Sequence, residues 1–175
     1  MTALEQRPLL FLDVDGPLLP FGATRRERPN GYPRFDHGLG VDANPLLARL
    51  DPQLGPRLRA LRCEIVWATS WEDDANHEIA PLLGFIELPV VTWPDDSDQD
   101  DHHRLHWKTK TLVEWAEGRT FAWADDEITD TDRDWVAAHH RGQALLHRVN
   151  PVWGLTDADF EVLGKWLRTA PPGKG

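Results

Sequence analysis

The chain of 175 residues carries 19 Lys and Arg against 29 Asp and Glu, a formal charge of −10, with 41% hydrophobic and 27% charged residues. That length suits one domain burying roughly 70% of its extended-chain surface, and the composition excludes a wholly disordered, collagen-like or coiled-coil chain. The single cysteine, Cys63, excludes an internal disulfide and a multi-cysteine zinc site. No apolar run approaches the ~18 residues of a membrane span and no secretory leader pattern opens the chain, so a cytoplasmic location is expected. The negative charge repels phosphate backbones at long range and disfavours non-specific nucleic-acid binding.

Apolar runs alternate with helical patterns, the signature of an α/β fold with a parallel sheet covered on both faces. Leu9–Leu12 is an unbroken apolar run leading into Asp13 and predicts a buried strand. Asn44-Pro45 opens a helical stretch to about Arg62, which Pro52 and Pro56 break or kink. Glu64–Ala68 predicts the second strand, Glu72–Leu83 a helix, and Pro89–Trp93 a third strand. Lys108–Glu117 reads as a helix, Thr120–Ala124 as a strand running into Asp125-Asp126, Thr131–His140 as a helix and Ala144–Val149 as the last strand. Thr156, with Asp159 three residues on, predicts the N-cap of a final helix carrying Phe160, Leu163, Trp166 and Leu167 on one face. One domain over residues 1–168 is expected, with a Pro/Gly-rich, disordered tail at 169–175.

Two segments depart from the alternation. Residues 17–41 are too long for a strand-to-helix loop and hold Arg25, Arg26, Arg28 and Arg34 against Glu27 and Asp36. A locally basic lid or binding flap is the expectation there. Residues 95–101, DDSDQDD, form an acidic run read as a solvated loop. The nearby His102, His103 and His106 lack an HExxH pattern and read the same way.

In an open parallel sheet, ligands bind beyond the carboxyl ends of the strands. Asp13 and Asp15, Thr69 and Ser70, and Asp125 and Asp126 stand at three such ends, and Lys108 opens a helix. Carboxylates with one hydroxyl and one ammonium suit Mg²⁺ and a phosphoryl group, hard oxygens for the ion and donors for the phosphate. Ser70 remains an alternative to Thr69. Lys110 remains one to Lys108; the two lie about 200° apart around a helix, so one of them faces the site. Phospho-acceptor signalling domains use similar groups, but there the acidic pair precedes the acceptor; here the pair comes last.

In that order, LFLDVDG, IVWATSW, Lys108 and FAWADDE resemble the four motifs of the haloacid dehalogenase (HAD) superfamily of phosphohydrolases, over about residues 8–130. More narrowly, WATSW, the DD pair and NPVWGLT resemble the small HAD domains of RNA-repair-type proteins. The resemblance implies a Rossmann-like fold with a minimal cap and a Mg²⁺-dependent phosphomonoesterase. Asp13 would attack phosphorus, and Asp15 would serve as general acid and then base. Thr69 and Lys108 would hold the phosphate. Asp13, the Asp15 backbone carbonyl, Asp125 and Asp126 would hold Mg²⁺. The second aspartate separates phosphatases from dehalogenase-type members, which lack it, and from ATPase-type members, which carry Thr. The resemblance further implies that an insert too short for a full cap leaves an open site, which in this superfamily suits bulky phosphoesters; a phosphorylated small molecule or a polynucleotide end is the expected substrate. Trp71 and Trp107, next to site residues, are candidates for stacking on a base. A catalytically idle binding module is the rival of another class; no motif carboxylate is missing to favour it.

Overall fold

The structure, a computed structural model, describes residues 6–94 and 105–171. Four parallel strands, β1 (Leu9–Leu12), β2 (Glu64–Trp67), β3 (Phe121–Asp125) and β4 (Ala144–Arg148), form one sheet in the order β2-β1-β3-β4. β1 and β3 are central, pair with Leu12 opposite Ala124, and are buried along their whole length. This is why they read as continuous apolar runs rather than alternating ones.

Each sheet face carries its own core. Leu10, Leu12, Trp67 and Ala122 belong to one, and Leu9, Phe11, Val66 and Trp123 to the other. Burying a side chain such as Phe11 or Leu10 contributes about 1.5–3 kcal/mol. The covering helices are α1 (Leu54–Ala60), α2 (Thr109–Ala116), α3 (Asp130–His139) and α4 (Asp157–Thr169). α4 begins as its sequence predicts: Asp159 accepts hydrogen bonds from the Thr156 N–H and hydroxyl, both at 2.7 Å. It runs on through Thr169, and the Pro171 carbonyl accepts from the Thr120 hydroxyl at 2.9 Å, so the chain is held to that point. The rest of the expected tail, 172–175, lies outside the described residues, as do the 95–101 acidic run, His102 and His103.

Two expected elements come out differently, and a third is broken at a proline as its sequence predicts. Pro89–Trp93 is no strand; it makes a single bridge, Val90 to Trp67, because Pro89 supplies no N–H and Pro94 stops extension. The stretch from Asn44 divides into a 3-10 turn (Pro45–Arg49) and α1, separated at Leu50–Gln53 around Pro52. Pro56 falls in the first turn of α1, where its missing N–H costs nothing. Glu72–Leu83 forms a wide π turn (Ala75–Ile79) and a 3-10 turn (Pro81–Leu83) instead of an α-helix. There Asn76 is drawn inward: its Oδ1 accepts from the Trp67 indole and the Leu88 N–H, each at 2.9 Å. A side chain held from outside the helix is a local reason for the i→i+5 turn.

The 17–41 insert lies against residues 45–50 and 150–155. The Phe21 N–H donates to the Pro151 carbonyl at 2.8 Å, and Phe35 N–H to Ala48 at 2.7 Å. Arg28 donates to the Val152 carbonyl while its guanidinium sits 4.8 Å from the Tyr32 ring and 4.6 Å from the Trp153 ring. One of the four arginines expected in a basic flap is therefore a fastener stacked on aromatics. The cavity beneath, about 100 Å³, is lined by Arg28, Phe35, Arg49 and Trp153 among others, and by none of the candidate site residues.

Candidate active site

The parallel register brings the carboxyl ends of β1, β2 and β3 level, so Asp13, Thr69 and Asp125 share one edge. The Lys108 ammonium lies between two of the carboxylates, 2.7 Å from Asp125 Oδ2 and 3.1 Å from Asp13 Oδ2. Lys108 is 3% exposed, Asp13 6% and Asp125 0%, so the three charges face one another largely out of water. Lys110 is exposed on α2. Thr69 is buried with its Oγ1 accepting from the Trp71 N–H at 3.2 Å, whereas Ser70 is exposed.

Among the described residues, carboxylate oxygens of Asp13, Asp125 and Asp126 come within 4.8 Å of one another. Gly16 makes this possible. Its φ is +94°, and a Cβ there would stand 2.9 Å from the Cβ and Cγ of Asp126. Only glycine lets the turn after β1 close against that carboxylate. Burial, opposed by Lys108 and reinforced by the Asp125 charge, pushes the Asp13 carboxyl up to about 7. Burial and the neighbouring Asp125 also push Asp126 up to about 6. Clustered hard oxygens, two of whose carboxyls are raised by burial and by a neighbouring carboxylate, fit a small divalent cation. Asp13, Asp125 and Asp126 are the described residues that could hold such an ion. The Asp15 side chain is not part of this cluster. It turns instead to Trp71, whose indole N–H donates to Asp15 Oδ2 at 3.0 Å.

A second grouping, His106, Asp125 and Glu127, reads as a hydrogen-bonded brace. The Lys108 N–H donates to His106 Nδ1 at 3.2 Å, so a neutral ring carries its proton on Nε2. That nitrogen lies 3.2 Å from Glu127 Oε2 and 4.0 Å from Asp125 Oδ1, and the Glu127 N–H donates to Asp125 Oδ1 at 2.9 Å. Asp132 completes the support by accepting from the His106 N–H, the Thr109 hydroxyl and Thr129. Burial raises its carboxyl, but those hydrogen bonds outweigh burial and hold it below the usual range. Asp132 is absent from the sequence candidates. The Thr129-x-x-Asp132 capping box at the start of α3 is the signal that could have found it.

A family model, the HAD domain in Swiss Army Knife RNA repair proteins, matches residues 9–160. The chain belongs to this family. Its four-stranded parallel sheet is the α/β core of a HAD domain. No curated protein and no solved structure gives a significant match. Among the described residues of this HAD domain, no helix is long and apolar enough to cross a membrane.

Because the Asp13 and Asp126 carboxyls are raised above their unfolded value of 3.8, the metal-free fold binds extra protons from about pH 4 to about pH 7. Metal-free stability therefore falls as pH rises through that window. Mg²⁺ competes with those protons, so its stabilising effect should grow from about pH 5 to about pH 8. At about 100 Kd the gain is about 2.7 kcal/mol, or roughly 5–10 °C in Tm. Thermal melts with and without Mg²⁺ at the two pH values check this; equal shifts would rule out competition at these carboxyls.

Proposed function

We propose that this HAD domain is a Mg²⁺-dependent phosphomonoester hydrolase working through an aspartyl-phosphate. The observation that carries the reading is the buried Asp13–Lys108–Asp125 arrangement at the sheet edge, with Asp15 two residues beyond Asp13. Asp13 forms the bond to phosphorus while the ester oxygen leaves with a proton from Asp15. Asp15 then takes a proton from water, whose oxygen displaces Asp13 and releases inorganic phosphate. Lys108 favours the ionised Asp13 that attack requires. The Thr69 hydroxyl, accepting from a backbone N–H, keeps its hydrogen for a phosphate oxygen. The Asp15 backbone carbonyl is the remaining oxygen assigned to the metal.

The terminal phosphate of a polynucleotide is the substrate class within this reading. The family description supports it, and so does Trp107, which is 37% exposed and has its ring 5.3 Å from the Lys108 ammonium. Trp93 stands beside it, ring centroids 4.7 Å apart, and donates to the Thr69 carbonyl at 3.0 Å. With a charge of −10 opposing long-range attraction, binding has to come from such local contacts. A cytoplasmic location, where Mg²⁺ and RNA coexist, fits the half-buried free thiol of Cys63.

The test is phosphate release from an aryl phosphate, a sugar phosphate and a short phosphorylated oligoribonucleotide, with Mg²⁺ and with chelator. Turnover in Mg²⁺ only, with the oligonucleotide preferred, is expected. Trp107→Ala should raise the oligonucleotide KM roughly ten-fold, given ~1–3 kcal/mol per stacked base, with a smaller change for the sugar phosphate. Silence on the whole panel while Mg²⁺ still binds would favour the idle module. Equal KM changes would remove Trp107 from recognition.

A further inference from the structure

Trp71 has no part in the chemistry assigned so far, yet it touches two residues that do. It follows β2 by four residues, is half-buried and packs against the larger core. Its indole N–H reaches Asp15 Oδ2 at 3.0 Å, and its backbone N–H reaches Thr69 Oγ1 at 3.2 Å. Both groups donate only, so each settles how its partner is arranged. With Oδ2 occupied by the indole, the transferable proton of Asp15 belongs on Oδ1. With Oγ1 accepting from the backbone, the Thr69 hydroxyl hydrogen is directed elsewhere. An indole nitrogen neither accepts nor ionises near neutral pH, so the contact suits both the acid and the base form of Asp15.

We propose that Trp71 is a positioning residue whose two N–H groups fix Asp15 for proton transfer and aim the Thr69 hydroxyl at a phosphate oxygen. This rests on the reading of Asp15 as the acid–base group. The proton concerned moves from Asp15 Oδ1 to the departing ester oxygen as the P–O bond breaks, and from water back to Asp15 when Asp13 is released. The turn after β2 thereby aligns a group on the turn after β1. Small misplacements of such groups cost about 10²-fold in rate. Base stacking by Trp71 is set aside, since its ring is committed to core packing and its N–H to Asp15.

Trp71→Phe keeps an aromatic ring, smaller than the indole, and removes the indole N–H. The informative quantity is kcat/KM, which covers steps up to leaving-group departure, for an alkyl phosphate and for 4-nitrophenyl phosphate. An alkoxide needs the proton and nitrophenolate scarcely does. Trp71→Phe should therefore lower kcat/KM roughly 10–100-fold on the alkyl ester and several-fold less on the aryl ester. Asp15→Asn should show the same selectivity more strongly, by about 10²–10⁴-fold. Adding Trp71→Phe to Asp15→Asn should produce little further selectivity, because the two act as a unit. In the intact protein, the Trp71 indole N–H proton resonance should move on Asp15→Asn, a readout that needs no Trp71 variant. Equal losses on both esters in Trp71→Phe, or an indole resonance indifferent to Asp15→Asn, would overturn the positioning role. If Asp15→Asn itself loses nothing on the alkyl ester, the acid–base reading of Asp15 fails instead.

Discussion

Asp13→Asn should reduce Mg²⁺-dependent phosphate release by on the order of 10⁴–10⁶-fold, the scale seen when an attacking residue is removed. An amide cannot form the bond to phosphorus, and no other described carboxylate sits at the end of β1 with Lys108 at 3.1 Å. The loss should appear in kcat rather than KM, because Thr69 and Lys108, the residues proposed to hold the phosphate, remain. Acid quenching of the wild-type protein during turnover should trap protein-bound phosphate, and the variant should trap none. The fold should survive: Asn is isosteric, and the Asp13 side chain sits beside Asp125, whose negative charge opposes its ionisation. A variant that kept a tenth of the activity, or still trapped phosphate, would sink the assignment of Asp13.

Lys108→Met carries the largest expected effect on stability. The ammonium is 2.7 Å from Asp125 and 3.1 Å from Asp13, all three side chains being nearly inaccessible. Removing one partner of a buried ionic group leaves uncompensated charge and typically costs about 3–5 kcal/mol. In a chain of this size that is a fall of about 10 °C in Tm. The deficit should be largest near about pH 8 and shrink toward about pH 5. The sign follows from Asp13: its carboxyl, already raised to about 7 with the lysine present, takes up a proton below that value and no longer needs a counter-charge. Added Mg²⁺ should recover part of the deficit at the higher pH. Lys110→Met, two residues on and exposed, should change stability by under about 1 kcal/mol, since surface charge contacts contribute little. Melting curves of both variants across pH, with and without Mg²⁺, decide it. A pH-independent loss would mean that Lys108 contributes packing by its stem rather than charge.

Those two experiments bear on residues that are among the most legible in the amino-acid sequence. Asp13 and Asp125 end strands whose unbroken apolar character marks them as central in a parallel sheet, and a parallel sheet collects ligand groups at that edge. Lys108 and Lys110 are equivalent by sequence; burial separates them, Lys108 being enclosed and Lys110 exposed. Thr69 and Ser70 are equivalent too, until the end of β2 turns one inward and leaves the other in water. The bracing of the site is not legible. Trp71 to Asp15 spans 56 residues and His106 to Asp132 spans 26. Neither partner announces the other, because no local pattern encodes a hydrogen bond between separate loops. The segment Pro89–Trp93 misleads for the opposite reason. Its β-branched residues suit a strand locally, while flanking prolines limit the ladder to a single bridge.

The sequence by itself determined the fold class, the strand ends where chemistry gathers, the α4 cap and the chemical inventory of the site: carboxylates in excess, a hydroxyl and a lysine. These follow from short-range rules: hydrophobic period, capping chemistry and the turn residue Gly16 after the first strand. Only the tertiary structure decided which hydroxyl is buried and which lysine lies between the Asp13 and Asp125 carboxylates. It also directed the Asp15 side chain to Trp71, and stacked Arg28 of the 17–41 insert on Tyr32 and Trp153. The physical reason is common to all of these. Each depends on how burial and charge balance where loops distant in sequence meet, and that balance exists only once the sheet has brought them together.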